Sequence, residues 1–204
     1  MVQRFKLTRL AELCAIHSGY TARGRLEPLP SGGTPAIQLR DVAPDGVALP
    51  PTLPTYDLGG LAEHYLVRGG EVIFRSRGEP NTAVAVSEYL PEPAAVIVPL
   101  LIMRPNKERI LPEYLAWAIN QPDAQRRLGA EAQGTSLRMV PLGVLERLEI
   151  AVPDLATQRR IVDINGLAKR EGRLLRELAA RREQLTSLIL SETARIAAQQ
   201  ENAK

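Results

Sequence analysis

Hydrophobic positions recur at short, changing intervals through the first three quarters of this chain and settle into one helical period in the last quarter. Leu10, Leu13, Cys14 and His17 fall on one face at three- and four-residue spacing. With Thr8 as a cap and Gly19 as a stop, they predict an opening helix. Glycines and prolines crowd residues 19–35, which read as a loop. Pro35–Val42 alternates apolar and polar residues as a half-buried strand does, Asp45-Gly46 is a turn, and the proline-rich stretch to Pro54 is extended. Two short apolar runs within Tyr65–Arg75 meet at the turn Gly69-Gly70. Thr82–Val86 and Ala94–Met103 predict further strands, the second apolar enough to lie centrally in a sheet. Pro112 starts a helix through Leu115, Ala116 and Ile119, and Pro122 restarts one to about Leu128. A short helix over Pro141–Leu148 and a strand over Glu149–Pro153 close this part. The pattern predicts one α+β domain over residues 1–153, built on a small mixed or antiparallel sheet with helices at its edges.

No proline follows Pro153, and residues 154–204 are mostly Leu, Ala, Arg, Glu and Gln. Ile161, Ile164, Leu167, Leu174, Leu178, Leu185, Leu188 and Ile196 recur at steps of three, four or seven, with some imperfect steps. That is one long helix with a coiled-coil stripe. Gly166 and Gly172 are places where its first turns bend or break, and its C-terminal end is expected to fray. A stripe this long needs a partner helix.

Composition changes the picture in two respects. A 45% apolar share supports a real core, and no apolar run reaches the roughly 20 residues a membrane span needs. The first six residues lack the apolar segment of a signal peptide, so a soluble, cytoplasmic protein is expected. One cysteine excludes a disulfide framework and any multi-cysteine metal cage, and two separated histidines exclude a His-rich one. The net charge of +3 is unevenly placed: residues 1–157 hold 16 Lys and Arg against 17 Asp and Glu, and residues 158–204 hold 10 against 6. Any binding to nucleic acid by the globular part must therefore use locally placed arginines.

Leu137–Ile161 contains a short helix, a strand ending at Pro153, and a Gln158-x-x-Ile161 start to the long helix. This junction resembles that of the specificity (S) subunits of type I restriction–modification systems. Upstream, Leu7–Gly19 is similar to that family's opening helix. Gly70–Gly78 is similar to its G-D-I-L-x-S-x-x-G hairpin, and Pro112–Ile119 to the helix before a glycine loop, here Gly134-Thr135-Ser136. Such subunits usually carry two recognition domains and two helical regions; this sequence has one of each. The resemblance implies a half-length S subunit, with a target recognition domain over 1–153 and a conserved-region helix over 154–204. It also implies the division of labour. A modification subunit binds S-adenosylmethionine and methylates a flipped adenine. A restriction subunit translocates and cuts, with ATP and Mg²⁺ also on partner subunits, and this chain supplies no cofactor site. Two copies, or this chain and another half-subunit, would pair their helices antiparallel and read a bipartite double-stranded DNA site. Phage defence is the setting the resemblance implies.

Candidate DNA contacts are arginines and amides in loops beside glycines. Arg75, Ser76, Arg77, Gly78 and Asn81 follow a strand; Arg77 has the fork for a guanine and Asn81 the amide for an adenine. The alternative is a solvated strand end in which Arg75 and Arg77 pair Glu71 or Glu79. Gln133, Gly134, Thr135, Ser136 and Arg138 form a second polar loop, or an ordinary helix connector. Gly32-Gly33-Thr34, with Arg23 and Arg25 before it, is a flexible surface loop or a phosphate-ordered one. Arg40 pairs Asp41, with a minor DNA role. Cys14, His17 and Trp117 read as core or edge residues, and His64 as exposed. The arginines of the tail solvate its outer face.

No phosphate loop, dinucleotide loop, Asn-Pro-Pro-aromatic motif or nuclease-like carboxylate cluster is present in the sequence. A non-catalytic role follows as the expectation. Three alternatives stay open: a helical adaptor that reads no DNA, a truncated cassette working only with another half-subunit, and a hydrolase using His17 or Cys14.

Overall fold

A computed structural model describes residues 7–42, 49, 52–134 and 138–201, the last six by backbone alone. The chain divides into two units, Met1–Arg160 and Ile161–Lys204.

The first unit is built on three small sheets. β1 (Leu7–Arg9) pairs antiparallel with β10 (Glu149–Ala151). A four-stranded antiparallel sheet runs in the order β2 (Cys14–Ser18), β9 (Leu100–Pro105), β6 (Val72–Arg75), β7 (Ala83–Ala85). A second, mixed sheet runs β4 (Thr55–Tyr56), β3 (Thr34–Ile37), β8 (Ala94–Val96), β5 (Leu66–Val67), with β3 and β8 parallel. Side chains alternate faces along a strand. Ile73, Val84 and Ile102 therefore share a buried cluster with Ile37, Val67 and Val96 of the mixed sheet. The alternate residue of β6, Phe74, is fully buried as well, and α1 (Pro112–Ile119) packs on β6 and β7. α2 (Pro122–Glu131) and α3 (Leu142–Arg147) follow α1.

Four expectations are corrected. Leu7–Gly19 is no helix: a 3-10 turn over Leu10–Glu12 separates β1 from β2. That turn creates the three- and four-residue spacing, and burial of Leu10, Leu13 and Cys14 together with pairing into two sheets outweighs helix propensity. The turn at Gly69-Gly70 joins no hairpin, because β5 and β6 belong to different sheets. Ala94–Met103 is likewise two strands, β8 and β9, parted at Pro99, which has no N–H to continue a ladder. The half-buried strand expected over Pro35–Val42 ends at Ile37, and a 3-10 turn over Leu39–Asp41 follows. The Asp45-Gly46 turn lies outside the described residues.

At the sheet edge, β7 is covered by a side chain that acts as a strand. Asn120, at the C-terminus of α1, accepts from the Ala83 N–H and donates to the Ala83 carbonyl, both at 2.8 Å. Gly19 marks a close approach: a Cβ there would lie 2.7 Å from the Val96 carbonyl oxygen.

α4 runs unbroken over Leu155–Glu201, through Gly166 and Gly172. Asp154 caps it, accepting from the Thr157 N–H at 2.8 Å and from the Thr157 hydroxyl at 3.0 Å. Those bonds hold the Asp154 carboxyl below its usual range. Gln158, fully buried, fixes the first turn to the globular unit. Its amide donates to the carbonyls of Arg109 and Pro153, and its oxygen accepts from the Leu111 N–H. Beyond Arg160 the helix is mostly exposed: Ile164, Leu167, Leu174, Leu178, Leu185 and Leu188 stand 53–69% exposed, and Ile161 is half-buried. Leu175, Ile189 and Leu190 join that exposed apolar set. Among the described residues, no helix is long and apolar enough to cross a membrane.

Candidate nucleic-acid interface

Two loops far apart in sequence are zipped together on the globular unit. The first follows β6 and is closed at its base by the Arg75 N–H donating to the Thr82 carbonyl at 2.8 Å. The second lies between α2 and α3, where Gln133 and Met139 exchange two backbone hydrogen bonds of 2.9 Å. Val140 N–H donates to the Ser76 carbonyl at 2.8 Å, and Gly78 N–H to the Arg138 carbonyl at 3.1 Å. Gly78 reaches this position with φ +98°, and a Cβ on it would press on the Arg75 guanidinium at 3.3 Å.

Several of the candidate side chains build the platform and do not project from it. Arg75 donates to the Val42 carbonyl at 2.9 Å and to the Arg77 carbonyl at 3.2 Å, so its guanidinium braces the loop. It pairs with neither Glu71 nor Glu79, since Glu71 holds Arg104 at 2.8 Å. The Ser76 hydroxyl, buried, donates to the Pro99 carbonyl. Asn81 is 5% exposed, and its NH₂ donates to the Arg75 and Ser76 carbonyls at 3.2 and 2.9 Å. Both amide hydrogens are thereby used, and an adenine would need one of them. Gln125, which the sequence reading passed over, locks α2 to the same loop by donating to the Asn81 carbonyl at 2.7 Å.

The side chains facing outward are Arg77, Gln133 and Arg138, all exposed, beside Gly134 at φ +106°. Arg77 carries no side-chain hydrogen bond or ion pair among the described residues, and Arg138 makes one marginal bond of 3.5 Å to the Gly129 carbonyl. Thr135 and Ser136 lie outside the described residues. Between the loops and α2 lies a groove of about 460 Å³, with Gly78–Asn81 on one side and Gln125, Arg126 and Arg138 on the other. Arg126 and Arg127 flank it on α2; both pair with Asp123, at 3.2 and 2.7 Å, and hold that carboxyl below its usual range. Of the outward arginines only Arg138 lines the groove, and exposed Glu79 sets a carboxylate in the same lining, in keeping with a domain of no net basic field.

The remaining candidates are placed elsewhere. Arg40 donates to the Tyr56 hydroxyl at 2.8 Å and approaches Asp41 only to 3.9 Å, while the Asp41 carboxylate accepts from the Gln38 N–H. Cys14 is buried with its thiol pushed up to about 12 by loss of solvation, which leaves no thiolate for nucleophilic chemistry at neutral pH. His17 lies in β2, its ring 6.4 Å from that of exposed His64. Half-buried Trp117 packs at 5.3 Å on the ring of Tyr114, which is buried.

The fold built from these parts is that of specificity subunits of type I restriction–modification systems. The chain superposes with a TM-score of 0.66 on the HsdS subunit from Thermoanaerobacter tengcongensis, at 22% identity, covering 91% of this chain and 47% of that one. A chain from a structure on complex assembly and conformational transition of the type I R-M system also gives 0.66, at 18% identity over 90% of this chain and 43% of the other. The S subunit from M. genitalium gives 0.56 at 12% identity, covering 82% and 39%. The chain therefore spans somewhat less than half the length of each solved relative. No protein-family model matches the sequence, and no curated protein matches it significantly.

Proposed function

We propose that this chain is a DNA specificity subunit of the type I restriction–modification kind. It reads one half of a bipartite target and directs adenine methylation and restriction carried out by separate subunits. The observation that carries the reading is the pair of zipped loops. Their internal hydrogen bonds consume Arg75, Ser76 and Asn81 and leave Arg77, Gln133 and Arg138 outward on a rigid base. Such side chains have the chemistry for base edges, Arg77 and Arg138 for guanine and Gln133 for adenine. Arg126 and Arg127 on α2 would serve phosphates, which position without specifying. The likeness of fold to solved S subunits supports the same reading. In it, S-adenosylmethionine, ATP and Mg²⁺ belong to partner subunits, and this chain supplies recognition and spacing.

Adenine-methylation motifs mapped in cells with and without the gene test this. Loss of one interrupted motif on deletion is the expected result. Retention of every motif in a strain whose methyltransferase is active would overturn it and favour a helical adaptor.

A further inference from the structure

Gln158 is wholly buried, and its side-chain amide is spent on three backbone groups. It accepts from the Leu111 N–H at 2.9 Å and donates to the carbonyls of Arg109 and Pro153 at 3.0 and 2.8 Å. Leu111 caps the start of α1, and Pro153 lies just beyond β10, so the first turn of α4 is tied to two elements of the globular unit at once. α1 is itself held to β10, where the Tyr114 hydroxyl donates to the Ala151 carbonyl at 2.8 Å. Its far end is fixed in turn. Asn120 grips Ala83 of β7, and Gln125 of α2 donates to the carbonyls of Ile119 and Asn81 at 2.9 and 2.7 Å. The eight residues of α1, a strut of about 12 Å, thus run from the base of α4 to the loop that presents Arg77. An apolar residue would fill the Gln158 site without the cost of burying an amide. Apolar packing is non-directional, however, whereas hydrogen bonds weaken steeply off-axis. Bonds to three separate backbone groups fix a turn in angle as well as in position.

We infer that Gln158 is a positioning residue for half-site spacing: it holds the first turn of α4 at one angle to the candidate loops and so limits the complex to one spacer length. The inference rests on the proposed function, in which this chain reads one half of a bipartite target. One base pair more or less in the spacer moves the second half-site by about 3.4 Å and turns it by roughly 35° about the duplex axis. A junction with play of that size would accept both spacings. Along the 47 residues of α4, a tilt of only about 3° at the base shifts the far end by as much as one base-pair step. Discrimination of spacing therefore demands a first turn held to within a few degrees, which directional bonds supply. Gln158 itself reads no base, because its amide is buried and both its hydrogens are taken. It acts through the helix that it anchors.

Adenine methylation in cells that carry the chain with its partner subunits tests this, scored at sites with the wild-type half-sites and a spacer one base pair shorter, equal or one longer. Gln158→Leu, similar in size and without donor or acceptor, is expected to cut the preference for the wild-type spacer at least about tenfold while both half-site sequences persist. A purely structural role would lower methylation at every spacing alike and leave that preference where it was; this result overturns the inference, as does a variant that behaves as wild type. Asp154→Ala removes the cap of the same turn and keeps the Gln158 bonds, so it should leave the preference unchanged. An equal loss in Asp154→Ala would overturn the assignment to Gln158. Should Gln158→Leu fail to fold, as read by Trp117 fluorescence, Gln158→Asn takes its place with the same outcomes, its amide one methylene short of the partners. A wild-type strain with active methyltransferase and no bipartite motif removes the proposed function and this inference together. A bipartite motif with an unmoved spacer preference in the variants removes this inference alone.

Discussion

The globular unit and the long helix face the same problem, where to put apolar side chains, and solve it in opposite ways. In the globular unit Phe74, Ile73 and Ile102 are wholly buried among strands of the same chain. Several of its inner polar side chains are matched too: Gln158, Asn120 and Asn81 bind backbone groups of distant elements. On the helix Leu167 and Leu188 stand more than 60% exposed at regular spacing, and its charges form isolated pairs or none. A contiguous exposed apolar stripe marks an interaction surface. The globular unit's sequence is explained by its own interior. On the helix, the described residues of this chain leave the stripe uncovered.

Paired truncations on the two units break or sharpen that contrast. Phe74→Ala empties a fully buried site and is expected to lower the stability of the globular unit by about 3–5 kcal/mol. Leu174→Ala removes a comparable side chain from the helix and should leave the unfolding of the globular unit unmoved while weakening self-association. Trp117, the only tryptophan, packs inside the globular unit and reports its unfolding alone by fluorescence. A matching shift of the Trp117 transition in Leu174→Ala would show that the helix stripe belongs to the same core, and the comparison would fail.

Much of this was legible in the sequence, and what was not has one physical cause. Pro112 and Pro122 marked helix starts correctly because Pro at N1 acts through local backbone alone. The long helix was legible for a related reason: its apolar repeat is sustained locally over many turns and needs no distant partner to be read. The opening segment misled because Leu10, Leu13 and Cys14 owe their spacing to a 3-10 turn between two sheets, and sheet partners are chosen over long range. The two candidate loops were singled out by their arginines and glycines, but which of their side chains are internal braces was not legible. Asn81 and Arg77 look equally available in the sequence. Only the Arg75 and Ser76 carbonyls, brought over Asn81 by the loop's closure, separate a brace from a free side chain. Gln125 carried no signal, and Gln158 was marked only as the start of the long helix; their bonds to Asn81 and Leu111 reach 44 and 47 residues along the chain.

The same contrast recurs within the candidate loops, where the Asn81 side chain is turned to the interior and that of Arg77 to the exterior. Asn81→Ala should cost about 1–3 kcal/mol of stability, because it removes a buried amide that donates to both the Arg75 and Ser76 carbonyls, the second of which keeps only the Val140 N–H. Its effect on DNA would follow from a loosened loop, so affinity should fall for all sequences together.

Arg77→Ala should change stability by less than about 0.5 kcal/mol, as befits an exposed side chain that holds no partner among the described residues. Its expected effect appears only in the assembled complex on DNA. If the guanidinium forks onto a base, discrimination at one position of the target relaxes by about 1–3 kcal/mol while the other positions keep theirs. If it touches only phosphate, binding weakens evenly and the slope of log affinity against log salt falls by about one unit. Selection from random-sequence DNA at two salt concentrations separates the two. An Arg77→Ala complex with unchanged motif, affinity and salt slope would remove Arg77 from the interface and move the reading role to Gln133 and Arg138.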